Sequence, residues 1–166
     1  MKLDVGCGLS KHPGFVGMDM LDDPSIDIRH DLRVFPWPVA DNSVSEMLML
    51  QVIEHLPDTL ATFNEIHRVL RPDGIATLTY PWYRSWGAYG DPTHVHFFTD
   101  LLIDYFIEDR LGGKYRYTNR FFILRSLQLE TYPFLRWMPA RALRFISRHL
   151  ALDVVHGVRI RIQPKK

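Results

Sequence analysis

The stretch LDVGCGLSKHPGFVGMD, Leu3 to Asp19, decides how this chain reads. An apolar run, Lys2–Val5, leads into Gly6-Cys7-Gly8, and a second apolar run, Phe15–Asp19, ends in an acid. In open α/β sheets, ligands bind beyond the carboxyl ends of the strands, and glycine there lets the backbone turn tightly and approach them. A G-x-G pair alone marks a plain tight turn just as well. A dinucleotide turn asks for a third glycine or alanine, where this chain has Lys11, and for an acid about 20 residues further on. Asp19 comes only eleven positions after Gly8. The dinucleotide reading therefore fails twice, and the gap is too short for a full crossover helix.

Working outward, Ile26–His30 alternates apolar and polar residues as a third strand, and VFPWPVADNS is a loop with two prolines. Met47–Leu50 is continuously apolar, as expected of a central parallel strand covered on both faces. Leu60, Phe63, Ile66, Val69 and Leu70 have helical spacing, and Pro72-Asp73-Gly74 follows as a stop before a strand at Ile75–Tyr80. Pro81 to Phe98 is an aromatic-rich loop, Thr99 can cap a helix through Phe106, and Gly112-Gly113 breaks the chain. Tyr115–Leu129 reads as one or two strands, Pro139 opens a helix to about Leu150, and Val154–Ile162 alternates as a last strand. The alternation predicts an α/β fold: a Rossmann-like, mostly parallel, doubly wound sheet with a C-terminal antiparallel strand pair. The expectation is a single domain over 1–166, with a cofactor-binding half at 1–99 and a substrate-side half at 100–166.

With 46% hydrophobic and 23% charged residues, the composition is that of an ordinary globular protein. One cysteine, Cys7, excludes a disulfide framework and makes a reducing, cytoplasmic location the expectation. No apolar run approaches the roughly 20 residues that span a bilayer, and the start of the sequence has no signal-peptide pattern. The net charge of +1 hides a split. Residues 1–113 hold 8 Lys/Arg against 17 Asp/Glu, and residues 114–166 hold 12 against 2. Such a split points to an anionic partner, to attraction between the two parts, or to a solvated basic face.

Three acids, Asp4, Asp19 and Asp31, stand at the ends of the first three strands. A carboxylate at the end of the second can accept hydrogen bonds from two ribose hydroxyls. Asp31 could receive an adenine amino group, with Leu32, Phe35 and Trp37 flanking a flat base. The ordered run LDVGCG…GMDM…DIRHDL…FPWPVADNSVSEMLMLQVIEHL…FNEIHRVLRPDGIATLTYPW resembles the class I S-adenosylmethionine-dependent methyltransferases, and is similar to the methyltransferase type 11 group in a short-fronted branch. The resemblance covers Lys2 to about Thr99. It implies that Asp4, Gly6 and Gly8 hold the methionine part of S-adenosylmethionine. Asp19, with Met20 beside it, would bind the ribose, Asp31 and Leu32 would read the adenine, and Leu50 and Gln51 would line the site near the sulfonium. The chain departs from the family in lacking a helix before the first strand and nearly all of the helix after Gly8.

Methyl transfer needs an acceptor in line with the S–CH3 bond, and a general base when the acceptor is a hydroxyl. The loop after the fifth strand offers His94 and His96, two apart and so facing alike in extended chain, with Asp91 to orient one of them as the base. Relatives often share the D-P-x-H-x-x-x-F-T pattern formed here by Asp91, Pro92, His94, Phe98 and Thr99. Loop-ordering hydrogen bonds would explain the same histidines. H-x-H plus one Asp lacks a clear third and fourth ligand, so no metal site is expected. Glu54 and His55 open the segment after Gln51 and fit a helix start. Arg141, Arg144 and Arg148 share one face of the last helix, suited to an anionic membrane surface or to packing on its own domain. No recognised nucleic-acid module is present. The expected function is methyl transfer to an unidentified small-molecule or anionic acceptor. The competing readings are a non-catalytic S-adenosylmethionine-binding or interaction module and, less well supported, a nicotinamide-dependent oxidoreductase.

Overall fold

The structure, a computed structural model, describes residues 1–150 and 153–166. Its strands are β1 (Lys2–Val5), β2 (Val16–Asp19), β3 (Ile28–Arg29), β4 (Val44–Leu50), β5 (Leu70–Pro81), β6 (Phe122–Thr131) and β7 (Val155–Pro164). They form one mixed sheet in the order β3-β2-β1-β4-β5-β7-β6. The first five are parallel to one another, and β7 is antiparallel to both β5 and β6. This is the expected mostly parallel Rossmann-like sheet with an antiparallel C-terminal pair. Leu3, Val5, Met18, Met47, Met49, Leu78 and Ile160 fill its core.

The short gap after Gly8 is visible as topology. Among the described residues, the connections β1–β2, β2–β3 and β3–β4 carry no helix. Parallel strands normally need a crossover of a dozen or more residues. Here the loop before β4 does the covering instead. Trp37 is buried, with its indole N–H donating to the Leu32 carbonyl at 3.1 Å. Glu65 accepts the Trp37 backbone N–H at 2.9 Å, and Arg68 donates to Glu65, to Asp41 and to the carbonyls of Trp37 and Val39. Both residues belong to α1 (Thr59–Val69), which Asp58 caps by accepting the Ala61 N–H at 2.8 Å. The helix thus holds the loop that carries Leu32 to the sheet edge.

Several local expectations are corrected by packing. The helix spans Thr59–Val69 and buries Phe63, Ile66 and Val69 while leaving Leu60 exposed. Pro72-Asp73-Gly74 lies within the first part of β5. Thr99 caps no helix: a short turn, Leu102–Phe106, follows with Leu101 at its N-cap and no side-chain cap, and the Thr99 hydroxyl accepts the Leu101 N–H at 3.1 Å just before it. The aromatic loop contains α2 (Trp86–Gly90), capped by Ser85. Gly112-Gly113 does not break the chain but sits in short helical turns, where a Cβ on Gly112 would lie 2.7 Å from the Ile107 carbonyl oxygen. Tyr115 and Tyr117 leave the strand to stack on Tyr105, so β6 starts only at Phe122.

The C-terminal helix runs Ala140–His149 and buries Leu143. The expected basic stripe is mostly spent internally. Arg144 and Arg148 both pair with the buried carboxylate of Asp100, at 2.5 and 2.7 Å. Lys165 also pairs with Glu108. The acidic front half and basic back half are therefore partly each other's counterions. No described helix is long and apolar enough to cross a membrane.

Candidate active site

The glycine turn after β1 builds one wall of a groove at the carboxyl edge of the sheet. Gly6 has φ +68°, and a Cβ there would stand 2.6 Å from Cγ2 of Val52. Gly8 also has positive φ, +51°, and its N–H donates to Oδ2 of Asp19 at 2.9 Å. The Leu21 N–H donates to Oδ1 of Asp19 at 3.1 Å. An ionised carboxylate has about four lone-pair positions, so Asp19 keeps acceptor capacity beyond these two bonds. Asp4 does something different. It is buried, and its Oδ2 accepts both the backbone N–H and the Nδ1–H of His12, each at 2.9 Å. Asp4 latches the turn from behind rather than lining the groove. Burial and the charges of Asp4 and Asp19 push the Cys7 thiol above its ordinary pKa, which disfavours the nucleophilic thiolate.

The two glycines predict different penalties. Gly6→Ala combines a left-handed backbone, worth roughly 1–2 kcal/mol, with a clash against the branched side chain of Val52. Gly8→Ala carries only the backbone penalty, because nothing lies within 4 Å of its Cβ position. The denaturant midpoint should fall further for Gly6→Ala than for Gly8→Ala, with m unchanged. Equal midpoints would contradict the close approach to Val52.

The opposite wall comes from the end of β4. Gln51 takes φ +57°, unusual for a residue with a side chain, so the chain turns sharply out of the strand. Its N–H donates to the Thr79 carbonyl at 2.9 Å and its side-chain amide to the Thr79 hydroxyl at 3.2 Å. A cavity of about 270 Å³ results, lined by Gly6, Asp19, Met20, Leu32, Gln51, Val52, His55 and Leu56. Five of the sequence-expected cofactor residues meet there: Gly6, Asp19, Met20, Leu32 and Gln51. Gly8 touches it through Asp19, and Leu50 stands one residue behind it. Asp31 is engaged elsewhere, because Arg33 donates to both of its carboxylate oxygens. That guanidinium holds the Asp31 pKa at about 2. Val52, His55 and Leu56 were not anticipated. Glu54 and His55 were read as a helix start, which hid a tight 3₁₀ turn, Ile53–His55, that brings His55 to the groove.

That turn also gathers the titratable residues. Glu54 is only 1% exposed, and neither carboxylate oxygen has a hydrogen-bond partner. Burial pushes its pKa up to about 7; its own backbone amide and nearby His94 offset this only in part. The loop bearing Asp91, His94 and His96 is strapped on by the N–H groups of Val95 and His96, which donate to the Glu54 carbonyl at 3.0 and 3.2 Å. His94 Nδ1 lies 2.9 Å from the Ala88 carbonyl, which can only accept, so this nitrogen carries the proton and Nε2 the lone pair. Asp91 does not orient His94. It accepts from the Thr93 hydroxyl at 2.6 Å, whose oxygen lies 2.9 Å from Nδ1 of His55. With its hydrogen given to Asp91, that oxygen accepts from His55, again leaving the lone pair on Nε2. His94 and His55 meet with ring centroids 4.7 Å apart. His96 turns away, its Nε2 3.1 Å from the Pro57 carbonyl, so the two histidines of H-x-H do not face alike in this irregular loop. A second groove of about 300 Å³ shares Gln51 with the first and is lined by Pro81, Ser85, Trp86, Gly87, Tyr132 and His156.

Comparison with known proteins matches the description "Methyltransferase domain" to residues 23–78. A Mycolicibacterium smegmatis protein named "Probable S-adenosylmethionine-dependent methyltransferase" is 41% identical over 58 residues, covering 35% of this chain and 22% of that protein. The chain thus spans about a fifth of the length of the curated relatives it matches. Among solved structures, an S-adenosylmethionine-dependent methyltransferase from Mesorhizobium loti aligns with TM-score 0.61 at 14% identity, covering 98% of this chain and 89% of that one. Phosphoethanolamine N-methyltransferase 2 of Haemonchus contortus, solved with S-adenosyl-L-methionine, aligns with TM-score 0.62 at 14% identity, covering 99% and 48%. At these identities the structural matches establish the shared fold.

Proposed function

We propose that this chain is a class I S-adenosylmethionine-dependent methyltransferase that transfers a methyl group to a nucleophilic acceptor; the family match over residues 23–78 and the curated relatives support the reading, and the solved structures share the fold. The observation that carries the reading is the meeting of Gly6, Asp19, Leu32, Gln51 and Leu56 on one groove at the carboxyl edge of the sheet. The bound cofactor supplies an electrophilic methyl on a sulfonium. Asp19 accepts the ribose hydroxyls with its remaining lone pairs, and Leu32 and Leu56 offer apolar walls to the adenine. Gly6, by leaving room for Val52, lets the turn close tightly, and the open space at the Gly8 Cβ position admits the methionine portion. Arg33 already occupies Asp31, so recognition of the base rests more on those apolar walls and on backbone groups near Leu32.

The acceptor enters through the aromatic groove, because Gln51 is common to both cavities. His55 lines the first groove, and the His94 ring meets it at 4.7 Å, so these are the imidazoles that stand nearest an acceptor there. His96 and Asp91 act by ordering the loop. An anionic acceptor, small or presented at a membrane surface, suits the C-terminal side, where Arg136 and Arg141 have no carboxylate partner among the described residues. The free thiol of Cys7 suits a reducing, cytoplasmic setting.

Calorimetry with S-adenosylhomocysteine and with NAD tests the cofactor assignment. Heat from the first and none from the second is expected; the reverse would return the nicotinamide reading. Incubation with methyl-labelled cofactor and cell-extract fractions tests turnover. Binding without any labelled product would favour the non-catalytic module.

A further inference from the structure

We infer that Glu54, His55 and His94 form a binding site for a divalent transition-metal ion of the zinc type. One oxygen or nitrogen from each of the three side chains lies within 4.8 Å of the others. Tetrahedral coordination at about 2.0–2.1 Å places ligand atoms about 3.3 Å apart, so binding would draw the three side chains together by up to about 1.5 Å. The sequence offered H-x-H with Asp91, a poor set. The fold replaces it: His96 turns to Pro57 and Asp91 to Thr93, while the Ile53–His55 turn brings in a carboxylate and a second imidazole.

Three features separate this cluster from a chance gathering of polar groups. Glu54 has two buried carboxylate oxygens and no donor for either. A buried charge is costly unless it is paired or coordinates a metal. Both imidazoles have their Nδ1 protons committed, to the Ala88 carbonyl and to the Thr93 hydroxyl, so both Nε2 atoms are in the form that ligates. Outer partners of this kind are what orient metal-bound histidines, and Asp91 stands behind Thr93 as the terminal carboxylate.

The ligand set selects the ion. Two imidazoles and one carboxylate suit zinc and its transition-metal neighbours, whereas magnesium and calcium prefer oxygen alone. Three protein ligands leave a position open, as in catalytic rather than structural zinc sites. His55 also lines the cofactor groove, so the ion would sit at the wall of that groove. An ion there would hold both Nε2 lone pairs and displace His94 from any role as base. The inference does not depend on methyl transfer, and its test reads metal binding alone.

The metal-free full chain should be titrated with Zn2+ against a chromophoric indicator. One equivalent per chain is expected, retained in a large excess of Mg2+. Glu54→Gln, which preserves volume, and His94→Ala should each weaken binding by at least the roughly 10- to 100-fold typical of losing an outer partner, because each removes a direct ligand. His149→Ala, on the C-terminal helix and outside the cluster, should leave it unchanged. Co2+-loaded wild type, which needs no variant to fold, should show the visible absorption of a four- or five-coordinate ion. No stoichiometric uptake, equal displacement by Mg2+, equal losses from His149→Ala and His94→Ala, or only the spectrum of hydrated Co2+ would each overturn the inference.

Discussion

Asp19→Ala is expected to weaken binding of S-adenosylhomocysteine by about 10- to 150-fold. Hydrogen bonds to a charged partner are worth about 1.5–3 kcal/mol, and 1.4 kcal/mol is a factor of ten. The substitution acts twice. It removes the acceptor proposed for the ribose hydroxyls and also orphans the Gly8 and Leu21 N–H groups, which now hold the glycine turn against β2. Asp19→Asn separates the two effects. It keeps one side-chain oxygen for the turn but loses charge, so it should fall between wild type and alanine. Asp31→Ala should cost less than Asp19→Ala, because the Asp31 carboxylate is already taken by Arg33. Calorimetric affinities for the three variants check the ranking. An Asp19→Ala protein that binds like wild type would remove the ribose assignment, and with it the main support for the cofactor groove.

The second large effect is on stability. In metal-free protein, Glu54 titrates near pH 7 when folded, against an ordinary glutamate value of 4.5. The folded state then holds its proton where the unfolded chain has released it. Below about pH 4.5 the carboxyl is protonated in both states and the burial carries no ionisation cost. As pH rises from 4.5 through 7, the unfolded state gains by ionising and stability falls. At 1.36 kcal/mol per pKa unit, the total is on the order of 3 kcal/mol, constant above the folded pKa. Glu54→Gln cannot ionise. The difference in unfolding free energy between Glu54→Gln and wild type, followed from pH 4 to pH 8 with a chelator present, should grow in favour of the variant. A difference that stays flat with pH would mean the carboxylate has a partner in the protein. Saturating Zn2+ should flatten it too, by pairing the charge.

Much of the fold was readable because the strands carry their own patterns. Lys2–Val5 has the bounds expected of it, and β2, β4 and β7 lie within a few residues of theirs. The mostly parallel sheet with its antiparallel C-terminal pair follows from the alternation of strands and connections; the strand order is visible only in the structure. Errors gathered where side chains pack on distant partners. Tyr115 and Tyr117 look like strand residues but stack with Tyr105. Arg144 and Arg148 look like a solvent-facing stripe, yet Asp100, more than forty positions away, draws both inward. The site shows the same division. That Gly6, Asp19 and Gln51 lie together at one sheet edge could be read from the sequence, because strand ends are sequence features. The Glu54–His55–His94 cluster was missed because it joins two loops whose approach is set by backbone bonds from Val95 and His96 to the Glu54 carbonyl. No spacing rule encodes that meeting.

The position of β7 has a consequence for how the chain is made. Residues 155–164 are synthesised after the other six strands of this sheet, yet they occupy an interior place between β5 and β6. Until they emerge, β5 presents an unpaired edge ending in Leu78, Thr79, Tyr80 and Pro81, and β6 has no partner in the sheet. Bare edges of this kind recruit other chains. Nascent chains stalled before residue 155 should therefore be more prone to co-aggregation and chaperone capture than those that have cleared residue 164, because one late strand satisfies two edges at once.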